Sequence, residues 1–273
     1  MTLIHFDKVT KVFSGNSKKA LTLLNRGATS REIQKQTGTI VALANASIDI
    51  FAGEVFVVMG LSGSGKSTFL RLINSLLRPS SGDVFIDSIN IAGLSVKGLR
   101  DLRRNRISMI FQSFALFPHR TVYENICFGL DIQGYGCEES HSIVTKWIKR
   151  VGLESFSSAL PNQLSGGMQQ RVGVARALAT GADILLMDEP FSALDPITRL
   201  EMQRLLVELQ EELNKTIVFV THDLSEAVFL ADRIAILRDG RVVQVDTSEK
   251  LINNPADDYV KVFTENLRSP KTV

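Results

Sequence analysis

Short apolar, β-branched runs alternate along the chain with longer stretches of helical periodicity. Val55-Phe56-Val57-Val58-Met59 reads as a buried strand, as do Ile184-Leu185-Leu186-Met187 and Thr216-Ile217-Val218-Phe219-Val220. Arg233 to Leu237 and Val242 to Val245 flank Asp239-Gly240, a strong hairpin signal. Helical patterns run from Ser67 to Leu77 and from Pro196 to Leu213. The expected result is an α/β layer architecture of parallel strands joined by crossover helices.

Two stretches interrupt that rhythm. The middle, approximately 94–179, is helix-rich and carries Trp147, the single tryptophan. It reads as an inserted helical subdomain with Trp147 in its core. Its basic segment (Lys97, Arg100, Arg103, Arg104, Arg106) is either a solvated helix face or a partner surface. Residues 16–41 also look inserted, between two strand-like pieces. Leu21, Leu23 and Leu24 suggest a short helix, Thr29-Ser30-Arg31-Glu32 has capping-box spacing, and Gly38 suits a helix stop. The alternative for this stretch is a decorative surface loop.

Composition narrows the function classes. The 273 residues are 44% hydrophobic and 22% charged, which is ordinary globular usage. Lys+Arg number 31 and Asp+Glu 29, so no global charge points to nucleic acid or an anionic surface. No stretch approaches the roughly 18 apolar residues of a membrane-spanning helix, and Met1 to Lys8 lacks the apolar core of a signal peptide. Cys127 and Cys137 fit neither a disulfide framework nor a zinc site, so a reduced cytosolic compartment is expected.

Four constellations carry chemistry. Gly60-Leu61-Ser62-Gly63-Ser64-Gly65-Lys66-Ser67-Thr68 matches G-x-x-x-x-G-K-[ST], with a buried strand before it and a helix pattern after it. Its glycines let consecutive N–H groups converge on phosphate, and the helix start adds a positive dipole end. Lys66 is expected on the β- and γ-phosphates and the Ser67 hydroxyl on Mg²⁺. Asp188-Glu189 ends a strand at the carboxyl edge of the sheet, where Asp188 suits the Mg²⁺ shell and Glu189 the attacking water. His222, in Thr221-His222-Asp223, follows another strand at the same sheet edge, where it could donate to the γ-phosphate or the leaving oxygen; the alternative is a capping or exposed histidine. Leu164-Ser165-Gly166-Gly167-Met168-Gln169-Gln170-Arg171 is a second anion-binding helix start. If one chain cannot bring both helix starts to one nucleotide, two chains must pair head to tail.

Over essentially its whole length the chain resembles the ATP-binding subunits of ABC transporters. The phosphate loop looks like Walker A, Ile184 to Glu189 like Walker B, and Leu164 to Arg171 like the family signature. Gln112 stands at the Q-loop position, Ser192-Ala193-Leu194-Asp195 looks like the D-loop, and His222 matches the switch histidine. The resemblance implies a single P-loop NTPase domain of ABC type over 1–273. Its parts would be a mainly parallel core sheet, an antiparallel β portion and the inserted helical subdomain. It also implies an ATP sandwich dimer, in which one chain's Walker A faces Ser165 and Gly167 of the other. Gln112 would then join the Mg²⁺ shell and relay nucleotide state to a membrane partner. Phe13 stands where the family places an adenine-stacking aromatic, a position at which Tyr is commoner.

The nearer resemblance is to the ATPases of glycine betaine, proline betaine and choline importers. The wording of 27–38, that of Val58 to Gly65, and Met168 where most of the family has Gln carry it. Longer members of that group add a pair of CBS modules. Only about thirty residues follow Arg241, too few for that pair on the domain sizes that stable folds need. The implied activity is ATP hydrolysis, with Lys66, Glu189 and His222 as catalytic groups and ATP and Mg²⁺ as ligands. The implied partners are a second ATPase copy, a separate membrane permease and, indirectly, a solute-binding protein, at the cytoplasmic face of a bacterial inner membrane. Import of polar amino acids, methionine or another small solute is the alternative. A DNA-repair ATPase would need a long coiled coil or basic track, and a sensor without turnover would need a damaged Walker B or signature; the chain has neither.

Overall fold

A computed structural model describes residues 1–268. The chain groups into two compact units, one made of Met1–Ser95 with the chain from Phe219 onward, the other of Val96–Val218. In the first unit the chain opens with β1 (Thr2–Phe13), α1 (Ser17–Asn25), α2 (Ser30–Thr37), β2 (Ile40–Phe51), β3 (Val55–Met59), α3 (Lys66–Ile73), β4 (Ser81–Ile86) and β5 (Ile89–Asn90). The second unit holds α4 (Val96–Asn105), β6 (Ile107–Ile110), α5 (Val122–Gln133), α6 (Cys137–Arg150), α7 (Gly166–Ala179), β7 (Ile184–Asp188) and α8 (Pro196–Leu213). Strand β8 (Thr216–Thr221) crosses the boundary, and α9 (Leu224–Leu230), β9 (Arg233–Arg238), β10 (Arg241–Asp246), α10 (Ser248–Asn253) and α11 (Asp258–Arg268) complete the first unit.

In the first unit, β2-β1-β4-β5 form an antiparallel sheet. Strand β2 alternates buried and exposed positions over most of its length, so it buries one face (Leu43, Ala46, Ile48, Ile50). Phe6 of β1 stacks on Phe69 of α3 with ring centroids 4.3 Å apart, which seats the phosphate-loop helix on this sheet. Strand β3 is buried at all five positions and pairs in parallel with β9. Its run of Val, Phe and Met has no polar face to offer water.

The hairpin expected at Asp239-Gly240 is present, with β9 and β10 antiparallel around it. Both turn residues have positive φ, +49° and +80°, which is the geometry a two-residue turn of this kind requires. Residues 16–39 are two short helices rather than an irregular loop. Thr29 accepts from the Glu32 N–H and Glu32 reaches back to the Thr29 N–H, completing the capping box, and Gly38 closes α2 in the left-handed conformation. Ala20, Leu24 and Ile33 form a small core with Val12, Val41 and Ala44 of the flanking strands. Helix α3 is shorter than the pattern from Ser67 to Leu77 predicts. It stops at Ile73 because Asn74 caps it and Ser75 turns left-handed.

In the second unit, α4 to α7 account for the helix-rich middle, and Trp147 of α6 is 9% exposed, as expected of a core residue. The basic segment lies on α4 apart from Arg106, which follows it, and Leu99 alone of that helix is buried. One element in this stretch departs from the helical reading: Ile107–Ile110 is a strand, β6, paired in parallel with β7. Its four residues follow α4 with only Arg106 between, too short a run to show a period of two against the helices around it.

Candidate functional site

In the first unit, the phosphate loop leaves the buried end of β3 and curls into α3. Gly60, Gly63 and Gly65 all have positive φ. A Cβ on Gly60 would lie 2.4 Å from the Leu237 carbonyl oxygen, and one on Gly65 would lie 2.2 Å from that of Ala42. Both positions therefore exclude any side chain. Gly65 is the N-cap of α3 and provides no side-chain cap. The Phe69 N–H donates to the Gly65 carbonyl, so the helix starts directly at the glycine and points its N-terminal end at the loop. This is the geometry that accepts phosphate. Lys66 is 6% exposed and its ammonium donates to the carbonyls of Gly60 at 2.9 Å and Leu61 at 3.2 Å. The cation is folded back over the loop it belongs to. Ser67 and Thr68 follow on the first turn of α3, where sequence spacing places them.

His222 follows the buried strand β8 and is exposed. Its flanks are fixed. The Thr221 hydroxyl donates to Glu226 at 2.6 Å and accepts from the Asp223 N–H at 2.9 Å. The Asp223 carboxylate caps α9 by accepting from the Ser225 and Glu226 N–H groups. The capping group is thus Asp223 and not His222, while the exposed histidine, the other half of the alternative, is what the structure shows. Phe13 ends β1 opposite Ile40, and the Lys11 ammonium lies 5.1 Å from its ring centroid.

The second unit gathers the other motif residues. Gln112 follows β6 and its side-chain amide donates to the Ser192 hydroxyl at 3.3 Å. That hydroxyl donates in turn to the Glu189 carbonyl at 2.9 Å. Asp188 ends β7, and Glu189 has a positive φ of 46°, uncommon for a residue with a side chain and typical of functional positions. Ser165 caps α7 by accepting from the Met168 N–H. A Cβ on Gly166 would lie 3.7 Å from both Leu194 and Phe114, and one on Gly167 only 2.3 Å from Thr198. The signature helix start is therefore packed against the segment from 192 to 198 and against the residues just after Gln112. Asp195 caps α8, and the hydrogen bonds it accepts from Thr198 hold its carboxyl below the usual carboxylate range.

Two residues that sequence reasoning did not single out build this arrangement. Arg176, on α7, donates to the carbonyls of Ala115 at 2.8 Å and Phe114 at 3.2 Å, holding two residues that both have positive φ. Burial pulls its guanidinium below the ordinary value. Asn125 is fully buried and ties the segment 117–121 to α5 through its amide oxygen and nitrogen. Arg176 has no local signal, because it acts on backbone distant in sequence, whereas Asn125 reaches back only to the segment just before its own helix.

Among the described residues no group of three or more His, Cys, Asp or Glu could hold a metal ion. The donor set read from the sequence is Ser67, Gln112 and Asp188, which is a hydroxyl, an amide oxygen and a carboxylate. Those hard oxygens fit Mg²⁺, which takes few protein ligands and keeps substrate phosphates and waters for the rest.

The chain is similar to proteins of known family. The profile of the ABC transporter family matches residues 43–192. The glycine betaine transport ATP-binding protein OpuAA of Bacillus subtilis is 48% identical over 99% of this chain and 65% of its own length. The glycine betaine/proline betaine transport system ATP-binding protein ProV of Escherichia coli is 50% identical over 93% of this chain and 63% of its own. The trimethylamine N-oxide transport system ATP-binding protein TmoW of Pelagibacter ubique is 48% identical over 99% of this chain and 79% of its own. The chain thus spans about two thirds of the length of OpuAA and ProV. Among solved structures, the dimeric post-hydrolysis state of the ATP-binding cassette MJ0796 bound to ADP and Pi matches with a TM-score of 0.75 and 37% identity, covering 90% of this chain and 98% of that one.

Proposed function

The chain belongs to the ABC transporter family, and from that premise we propose that it is an ATP-hydrolysing subunit driving solute import through a separate membrane permease. The solute we propose is a quaternary or related fully methylated amine, in line with the solutes for which OpuAA, ProV and TmoW are named. The observation that carries the reading is the phosphate loop: glycines that leave no room for side chains at Gly60 and Gly65, leading into the α3 N-terminus, with the Lys66 ammonium folded over them. Within the single ABC ATPase domain, 94–179 acts as the helical lobe and 16–41 as a subgroup insertion.

In the mechanism, the backbone N–H groups of Gly63 to Thr68 and the Lys66 ammonium hold the triphosphate and neutralise charge on the transferring phosphoryl group. Ser67, Asp188 and the Gln112 amide oxygen would hold Mg²⁺, which would supply neutralisation of phosphate charge. Glu189 orients and deprotonates the attacking water, and His222 donates to the γ-phosphate. Two copies pair head to tail, Ser165, Gly166 and Gly167 of one capping the nucleotide on Gly60 to Thr68 of the other. Phe13 stacks on the adenine. Loss of the bridging γ-phosphate loosens the pair, and the segment from Gln112 to His119 passes that change to the permease. Among the described residues no helix is long and apolar enough to cross a membrane, in keeping with a peripheral subunit on the cytoplasmic face.

Glu189→Gln tests the chemistry. ATP binding and a nucleotide-dependent dimer are retained, while turnover falls by about 100-fold or more, the scale of a lost general base. Unchanged turnover overturns the role of Glu189. Reconstitution with the permease, scanning betaines, choline, trimethylamine N-oxide and methionine for stimulated hydrolysis, tests the solute.

A further inference from the structure

The two-helix insertion is linked to the phosphate loop through the Asp239-Gly240 turn. The Ser30 hydroxyl, at the first position of α2, donates to the Asp239 carbonyl at 3.0 Å. One residue on, the Gly240 N–H donates to the Ser64 carbonyl inside the phosphate loop at 3.1 Å, and the Gly240 carbonyl accepts from the Ala44 N–H at 2.8 Å. The Asp239-Gly240 turn is thus bonded on one side to the insertion and on the other to the loop. A cavity of about 290 Å³ shows the same adjacency, with Arg31 of α2, Arg238 and the loop residues Leu61 to Ser64 all on its wall.

Neither partner in this contact has slack. Both turn residues are left-handed, and a Cβ on Gly240 would lie 3.1 Å from the Ala42 backbone. Gly60 and Gly65 are equally confined at either end of the loop. A displacement of the turn acts on the Ser64 backbone through the bond from the Gly240 N–H. The helix itself does not depend on the Ser30 hydroxyl, because Thr29 and Glu32 supply the cap. Removing that hydroxyl breaks the contact and leaves α2 in place.

We propose that Ser30 is a positioning residue for nucleotide binding, acting through the Asp239-Gly240 turn on the phosphate loop. The insertion then sets the affinity of the loop for ATP without touching the nucleotide. This rests on the reading of the loop as an ATP site. In the full chain, Ser30→Ala weakens ATP affinity and raises KM by about three- to tenfold, the scale of one neutral hydrogen bond. Turnover at saturating ATP stays within about twofold, and Ser30→Thr, which keeps the hydroxyl, restores affinity. Affinity is read by ATP displacing a fluorescent ATP analogue. Hydrogen exchange of the peptide spanning 60–66 rises in Ser30→Ala and not in Ser30→Thr. Loss of affinity below threefold, a fall in kcat with KM unmoved, or no rescue by Thr each overturns the proposal while the ATP reading stands. A parent chain that displaces no analogue overturns both.

Discussion

The Gln112 amide and the Ser192 hydroxyl lie 3.3 Å apart, and the same hydroxyl bonds the Glu189 carbonyl at 2.9 Å. One serine thus holds the residue expected to sense Mg²⁺ and the backbone of the residue expected to activate water. The backbone at Glu189 is left-handed and needs such a clamp. Ser192→Ala is expected to lower kcat by about three- to tenfold while ATP affinity changes less than about twofold, the pattern of a residue that aligns a catalytic group without binding substrate. Ser192→Thr, which keeps the hydroxyl, restores turnover. Steady-state ATPase kinetics against equilibrium ATP binding separate the two effects.

The start of α7 leaves no room at Gly167. A methyl group there would lie 2.3 Å from Cγ2 of Thr198 on α8. Gly167→Ala is expected to cost about 1–3 kcal/mol through overpacking, read as a lowered urea midpoint. Adding Thr198→Ser removes the opposing methyl and recovers most of that loss. If the double variant is no more stable than the single one, the two side chains do not compete for the same space.

Much of this site is legible in the sequence because its signals are local. The β3 run, the glycines of the phosphate loop and the Asp239-Gly240 turn each state their conformation within a few residues, and all three are found where they are expected. So is the capping box at Thr29 and Glu32. Strand β6 is not legible, since Ile107–Ile110 becomes a strand by pairing with β7 more than seventy residues away. The left-handed turn at Phe114 and Ala115 is held by Arg176, some sixty residues on, and nothing nearby announces it. The length of α3 fails for a different reason. Apolar residues continue past Ile73, but Asn74 and Ser75 reverse the chain, and periodicity does not register a side-chain cap.

The insertion carries its own stability test. Thr29 caps α2 on the surface, and replacing such a cap by Ala costs about 1 kcal/mol. Thr29→Ala is therefore expected to lower the urea midpoint measurably at neutral pH. The Thr29 N–H and hydroxyl, by bonding the Glu32 carboxylate, hold its pKa below the ordinary value of 4.5. A lowered carboxyl contributes stability that is present above the unfolded value and lost as pH falls through the folded one. The difference between parent and Thr29→Ala should accordingly shrink on acidification below about pH 4.5. A difference that stays constant down to acid unfolding contradicts the bond from the Thr29 hydroxyl to the Glu32 carboxylate.

The two thiols are expected to behave unequally. Cys137 is exposed at the first position of α6, whereas Cys127 is partly buried on α5 and donates to the Asp131 carboxylate at 3.3 Å. Burial first, and then Asp131 as both hydrogen-bond acceptor and neighbouring charge, push the Cys127 thiol from 9.0 up to about 11. The thiolate is the reactive form, so at neutral pH Cys127 should label more than about tenfold slower than Cys137 with an aromatic disulfide reagent. Cys137→Ser isolates the slow phase, whose rate should climb toward pH 11. Asp131→Asn removes the nearby negative charge, lowers that titration and speeds the labelling. The sign for stability follows. A raised thiol favours the protonated fold, so its contribution is complete below the ordinary value of 9.0 and is lost as pH rises through about 11. Chemical denaturation of the Cys137→Ser chain across that alkaline window measures the loss, and Asp131→Asn should reduce it.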